Sequence, residues 1–415
     1  VTPPSLARRL GVRDAVVIGL AAMIGAGVFT VFAPAAAAAG GGLVIGLAIA
    51  GFVAFANASS TAQLAARYPE SGGAYRYGRE RLGAWPGFLA GWGFVIGKTA
   101  SCAAMAMTFA AYLAPSEWQR PLAAAAVIAL AAVNLRGITR TARAAAIIVG
   151  FVVLVLLLVI AAGSGALVQR GIPLDGLLDS GWTGVLQSAG LLFFAFAGYA
   201  RIATLGEEVR DPARTIPKAI WIAFACALAL YALVALVLLA TLGAPALAGS
   251  TAPLVDLVET AGWPAAAPLV RLAAAVAALG ALLALLAGIG RTALAMARDG
   301  ELPHPLAAVH PRTRVPHVAE IVVAVAIVAL VLTVDLREAI GFSSFGVLGY
   351  YLVANLAALT QPAGERRVPR ALSAAGAIGC LVLVATLPPV SIIAGLVVVA
   401  LGVCWRLITI ARRRR

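Results

Sequence analysis

Apolar residues recur along this chain in runs of roughly 17 to 25, the length a helix needs to cross a hydrocarbon layer about 30 Å thick, and polar residues gather between the runs. Twelve runs are centred near residues 26, 54, 100, 129, 153, 194, 230, 281, 326, 349, 378 and 400. They predict an all-α integral membrane protein with twelve transmembrane helices and no length left over for a catalytic head domain. Two of the runs are interrupted. The first holds Gly19-Leu20-Ala21-Ala22-Met23-Ile24-Gly25-Ala26-Gly27-Val28-Phe29-Thr30, with two glycines one residue apart. Glycine in a helix interior costs about 1 kcal/mol relative to alanine, and it tolerates conformations that free amides and carbonyls for a ligand. Non-helical backbone persists at membrane depth only where it is buried in protein or lines a cavity, so the break predicts a polar solute near the midplane. Close helix packing by small residues is the other reading of Gly25 and Gly27. The sixth run carries a second interruption, Phe193-Phe194-Ala195-Phe196-Ala197-Gly198-Tyr199. Breaks five spans apart are the pattern of an inverted repeat with the solute between its halves.

Composition agrees with the runs. Of 415 residues 62% are hydrophobic and 12% charged, against about 25% charged in soluble domains. The net charge of +14 raises nucleic acid as a partner, but the placement of the basic residues argues for topology instead. With the N-terminus in the cytoplasm, 26 Lys and Arg fall at cytoplasmic ends and four outside, at Arg120, Arg170, Arg271 and Arg337. Both termini are therefore expected in the cytoplasm of a cell whose inner membrane the chain crosses, with Arg412 to Arg415 held against anionic headgroups. The first nine residues lack the pattern of a cleaved signal peptide. Cys102, Cys226, Cys380 and Cys404 lie singly in apolar runs, without metal-ligand spacing. No metal and no cofactor is expected, and no phosphate-binding glycine loop is present.

Lys98 stands near the middle of the third run, about 18 Å along a helix from Pro86. An ammonium at the bilayer centre costs about 2.5 to 3.5 kcal/mol on insertion scales, which makes it a functional candidate facing a cavity or a partner. Two roles are open: coupling or substrate sensing through its charge, or a tether to helix-end carbonyls.

From these residues onward the chain resembles the amino acid-polyamine-organocation superfamily of transporters, and within it the bacterial relatives of the cationic and neutral amino acid permeases. The resemblance covers nearly the whole chain. It rests on Met23 to Phe29, on Pro69-Glu70-Ser71-Gly72-Gly73-Ala74-Tyr75, on Phe193 to Tyr199, on Glu207-Glu208-Val209-Arg210-Asp211-Pro212-Ala213-Arg214-Thr215-Ile216-Pro217, and on Ala297-Arg298-Asp299-Gly300-Glu301-Leu302-Pro303. It implies a LeuT-like 5+5 inverted repeat with broken helices 1 and 6: a first repeat over 1–162, a second over 163–365, and two further helices with a basic tail over 366–415. It also implies a substrate α-carboxylate on the amides of Ile24, Gly25, Ala26 and Gly27, where the positive end of a half-helix favours an anion. The substrate ammonium would meet carbonyls at Phe194, Phe196 and Ala197, beside Gly198, with Phe196 and Tyr199 as gates. Core packing is the other role open to Phe196. Glu207 and Glu208 would hold the cytoplasmic end of the sixth helix.

Departures from the family pattern bear on mechanism. Several members carry a fifth-span lysine whose charge stands in for sodium and takes part in proton coupling; the matching position here is Val152. Sodium-dependent relatives offer hydroxyls from the eighth span, but Leu272 to Arg291 contains no Ser or Thr. Lys98 is the candidate for the displaced charge, as proton switch or fixed cation. After the sixth-span glycine-aromatic pair, where carriers of cationic amino acids often have an acid, this chain has Ala200 and Arg201. The expected function is secondary transport of neutral, small or aliphatic amino acids by alternating access, without sodium, driven by protons or exchange. Polyamine or cationic amino acid transport is the rival within the family, and a non-transporting sensor or channel the rival outside it. An enzyme is not expected, since the spans hold no cluster of His, Asp or Glu. Oligomeric state stays open.

Overall fold

The computed structural model describes residues 10–68, 72–137, 142–172, 176–203, 205 and 209–413. Alanine and leucine dominate the apolar runs, and both are strong helix formers; the regular secondary structure among the described residues is accordingly helical, apart from one isolated parallel bridge between Leu10 and Val209. The first run becomes α1 (Val12–Met23), α2 (Gly27–Thr30) and α3 (Phe32–Ala39). At Gly40 the backbone turns with φ of +55°, into a short 3-10 turn that leads to α4 (Leu43–Arg67). Then follow α5 (Ala74–Leu82), α6 (Ala84–Leu113), α7 (Ser116–Leu135), α8 (Ala142–Arg170), α9 (Gly181–Phe196) and α10 (Ala200–Ala203). The chain continues with α11 (Pro212–Leu242), α12 (Ala244–Gly249), α13 (Pro253–Thr260), α14 (Ala267–Arg298), α15 (His317–Thr333), α16 (Leu336–Leu359), α17 (Arg370–Thr386) and α18 (Pro389–Arg413).

Ten stretches among the described residues are long and apolar enough to cross a membrane, against twelve expected. The difference lies in α15 and α17, which are apolar but 17 residues long, or about 26 Å at 1.5 Å per residue. The protein is a multi-pass, all-helical membrane protein. Local chemistry explains several helix ends. Asp335 caps α16 by accepting from the Glu338 amide at 2.7 Å, while the Asp335 amide donates to the Glu338 carboxylate at 3.0 Å, a reciprocal box that satisfies two otherwise orphan donors. Pro212 opens α11, where its missing N–H costs nothing.

The centre of the bundle is α6 packed against α14 and α16. Small residues let the backbones meet: a Cβ on Gly97 would lie 3.0 Å from the Ser343 carbonyl, and one on Gly346 would lie 2.7 Å from the Gly93 carbonyl. Around that centre α1 packs on α8 and α11, and α9 on α3 and α4. By contrast α18 is peripheral, with Val390, Ile393, Leu396, Val397 and Leu401 facing outward, as lipid contact requires.

At the arginine-rich end a charged cluster joins three separate elements. Glu301, just after α14, accepts from Arg79 of α5 at 2.6 Å and forms an ion pair with Arg406 of α18 at 3.0 Å. The Arg406 guanidinium also lies 4.6 Å from the Trp85 ring centroid and 4.7 Å from that of Phe88, which favours a cation through the ring quadrupoles. Tyr75 donates to the Asp299 carboxylate at 2.5 Å, and burial together with that carboxylate pushes its phenol well up. Glu301→Ala is expected to lower stability by about 3 kcal/mol, because removing one partner of a buried ion pair leaves charge uncompensated. The check is the melting temperature of the purified protein.

Candidate functional site

The first break follows from where the helical ladder stops. The Ile24 amide still donates to the Leu20 carbonyl at 2.7 Å, but Ile24 has ψ of 35° and the helix ends. Beyond it the amides of Gly25, Ala26 and Gly27 make no hydrogen bond among the described residues. The ladder restarts when Phe29 donates to the Ala26 carbonyl at 3.0 Å, and the Thr30 hydroxyl donates to the same carbonyl at 2.7 Å. Every residue from Met23 to Ala33 is buried. Three unspent amides in a dry site, at the start of a helical segment, have the chemistry to hold an anion.

The second break is the 3-10 turn Ala197–Tyr199 between α9 and α10. Lys98 is 5% exposed and donates through Nζ to the Ala197 carbonyl at 3.2 Å. The Tyr351 hydroxyl donates to that carbonyl at 3.3 Å. One oxygen of the break therefore holds both an ammonium and a phenol from other helices.

The two breaks touch. A Cβ on Gly198 would lie 2.3 Å from the Ala22 carbonyl carbon and oxygen, and one on Gly27 would lie 2.8 Å from the Ala195 Cα. A Cβ on Gly25 would meet that of Ala281 in α14 at 2.8 Å. The glycines thus permit close packing and leave backbone amides free at once.

Phe196 is buried with its ring 5.6 Å from that of Phe224 and 5.2 Å from that of Tyr231. The Phe194 carbonyl accepts from the Ala197 amide. Tyr199 stacks on Tyr351 at 4.9 Å, and Tyr351 meets Tyr350 edge-on at 5.1 Å, an aromatic plug beside the second break. Arg201 is half-buried in α10, and Val152 is buried in α8. Glu207 and Glu208 lie outside the described residues.

Three tyrosines that sequence reasoning missed hold the breaks in shape. Tyr231 of α11 places its hydroxyl 2.6 Å from the Met23 carbonyl and 3.1 Å from that of Ala195. Having one proton, it is shared between the two broken helices. Tyr112 donates to the Phe29 carbonyl at 2.8 Å, and Tyr351 serves Ala197. The available signal was a phenol inside an otherwise apolar span, where a buried hydroxyl needs a partner. Tyr231→Phe keeps the ring and removes the shared proton. It is expected to cost about 1 kcal/mol, seen as a lower melting temperature with α-helix content unchanged by circular dichroism.

The model of the amino acid permease family matches residues 14–403. An uncharacterized transporter of Mycobacterium tuberculosis is 56% identical over 401 residues, which is 97% of this chain and 91% of the relative. A branched-chain amino acid permease of Bacillus subtilis is 27% identical over 429 residues, covering 96% of this chain and 92% of that protein. A vacuolar cationic amino acid transporter of Arabidopsis thaliana is 30% identical over 395 residues, covering 88% of this chain but 62% of its own length.

Proposed function

The chain belongs to the amino acid permease family, whose members are transporters and not enzymes, and from that premise we propose that it carries neutral, small or aliphatic amino acids across a bacterial inner membrane by alternating access. The observation that carries this reading is the set of unpartnered amides at Gly25, Ala26 and Gly27 in the buried first break. They suit a substrate α-carboxylate. With the Ala197 carbonyl occupied by Lys98 and Tyr351, the ammonium goes to the carbonyls of Phe194 and Phe196. Lys98 places a positive charge on the second break, which favours a side chain without positive charge.

Membership of the family implies a LeuT-like fold, and in our reading α15 and α17 complete twelve spans. The first repeat runs over 1–162, the second over 163–365, and the last two helices over 366–415, with both termini inside. The backbone tie from the Arg210 amide to the Leu10 carbonyl at 2.9 Å supports equivalent cytoplasmic ends for spans one and six. Transport runs without sodium: the α14 wall facing Gly25 presents Ala281, and Leu272 to Arg291 supplies no hydroxyl ligand. Protons or a counter-exchanged amino acid supply the drive. The rival, a carrier of cationic amino acids or polyamines, is disfavoured because a multiply charged cation needs buried counter-charges near the breaks.

Ligand-induced thermal stabilisation tests the reading, since a ligand at 100 times its Kd adds about 2.7 kcal/mol. Neutral amino acids are expected to raise the melting temperature equally with and without sodium. A rise from polyamines or arginine alone would refute the substrate class.

A further inference from the structure

Glu320 stands in the first turn of the otherwise apolar α15 and is 3% exposed. Its Oε2 atom is buried and has no hydrogen-bond partner among the described residues, and the side chain enters no ion pair among them. The carboxyl stem is seated on bare backbone of α14: a Cβ on Gly290 would lie 2.9 Å from the Glu320 Cγ and 3.6 Å from its Oε1. An unpaired charge costs far more to bury than a neutral acid, so this packing holds Glu320 protonated.

Two further polar atoms mark the same end of the bundle. Ala123, Val127 and Ala131 of α7 share an apolar cluster with Val323, Ile327 and Val331 of α15. A Cβ on Gly137, just after α7, would lie 3.2 Å from the carbonyl of Thr313, just before α15. The two helices therefore run antiparallel, and beyond the cluster α7 carries the buried Asn134 where α15 carries Glu320. The Asn134 Nδ2 and the His317 Nδ1 are buried without a hydrogen-bond partner as well. Of the charged groups around Glu320, Arg291 acts on it from α14, next to Gly290, but is exposed and in no ion pair among the described residues. His317 lies one turn back on α15, His304 is exposed in the 3-10 turn packed against α15, and Arg136 follows α7. The half of α6 from Ala84 to Gly97 holds no ionisable side chain.

We propose that Glu320 is a protonation site of the transport cycle, neutral while seated on Gly290 and ionised when α14 and α15 part and the carboxylate meets water and Arg291. The proton passes to water on opening and returns from water on closing. One helix joins this site to the first break: Ala281 of α14 faces Gly25, and Gly290 is about two and a half turns on at 3.6 residues per turn, on the opposite face. The inference rests on the transport reading and names a residue through which protons act on it.

The first test is the melting temperature of the purified full chain across about pH 5 to 9, the span over which buried carboxyls titrate. The folded state holds the acid neutral, so the natural protein is expected to lose stability relative to Glu320→Gln as pH rises, the two lying close together at the acid end. Gly290→Ala pushes the carboxyl stem off α14 and is expected to flatten that loss. The second test is L-leucine counterflow in proteoliposomes with the same pH on both sides, where neither orientation nor a proton gradient enters. Counterflow by the natural protein is expected to vary by about tenfold across the range, which corresponds to one pH unit between the two states. Glu320→Asp, which keeps the acid, is expected to keep that dependence and Glu320→Gln to lose it. Melting temperatures of the natural protein and Glu320→Gln that run parallel across the range would overturn the protonation site, as would a counterflow profile unchanged in Glu320→Gln. No leucine counterflow by the natural protein would overturn the proposed substrate class instead, and the melting temperatures would still decide Glu320.

Discussion

Lys98→Met is expected to cut uptake of neutral amino acids into proteoliposomes by about ten- to a hundredfold while leaving the protein as stable as before, or more so. The size comes from the bond lost: a hydrogen bond to a charged group contributes about 1.5 to 3 kcal/mol, and each 1.4 kcal/mol is a factor of ten. The sign on stability comes from burial. Lys98 is 5% exposed in the middle of α6, where an ammonium costs about 2.5 to 3.5 kcal/mol, and methionine fills nearly the same volume without that cost. The Ala197 carbonyl keeps the Tyr351 hydroxyl at 3.3 Å, so the second break is not left without a donor. A structural tether predicts the opposite split, with lower melting temperature and uptake near normal. Reconstituted uptake across external pH, measured beside melting temperature, separates the two. Uptake and pH profile both unchanged would remove Lys98 from the mechanism.

Gly198→Ala should be more damaging still, with substrate binding lost by about a hundredfold. The added Cβ would stand 2.3 Å from the Ala22 carbonyl carbon and oxygen and 2.5 Å from the Met23 nitrogen. These are backbone atoms of the other broken helix and cannot rotate away. Overpacking of this kind costs about 1 to 3 kcal/mol, but the larger effect is on geometry: the breaks must part, and misplacement by about 1 Å can cost a hundredfold where groups act together. Gly288→Ala is the matched control, since a Cβ there meets nothing within 4 Å. In a helix interior it should stabilise by about 0.5 to 1 kcal/mol with binding unchanged. Both effects are read from thermal stabilisation by L-leucine; full binding in Gly198→Ala would mean that the breaks need not touch.

The breaks themselves were legible in the chain because a glycine pair inside an apolar run is a local signal. So was Lys98, since one lysine in the middle of a span stands out against hydrocarbon. Its partner was not legible: Lys98 and the Ala197 carbonyl are 99 positions apart, and their meeting depends on how α6 crosses α9. The same holds for Phe196, whose aromatic neighbours Phe224 and Tyr231 sit on α11. Helix count was legible only in part. α15 and α17 stand where the ninth and eleventh apolar runs put them, but at 17 residues each they are shorter than the ten longer spans, at the low end of the ~17 to 25 residues that cross a bilayer.

Sequence alone therefore determined that this protein lives in a bilayer, where its helices run and where two of them stop, since run length and glycine placement act through the solvent and the nearest few residues. Tertiary structure decided what meets at those stops. The Tyr231 hydroxyl shared by Met23 and Ala195, the ammonium and phenol on Ala197, and the Glu320 carboxyl seated on Gly290 all join different helices. The physical reason is that hydrocarbon burial acts on each segment by itself, whereas a hydrogen bond or a close seat for a side chain needs angles and distances that exist only after the helices have packed.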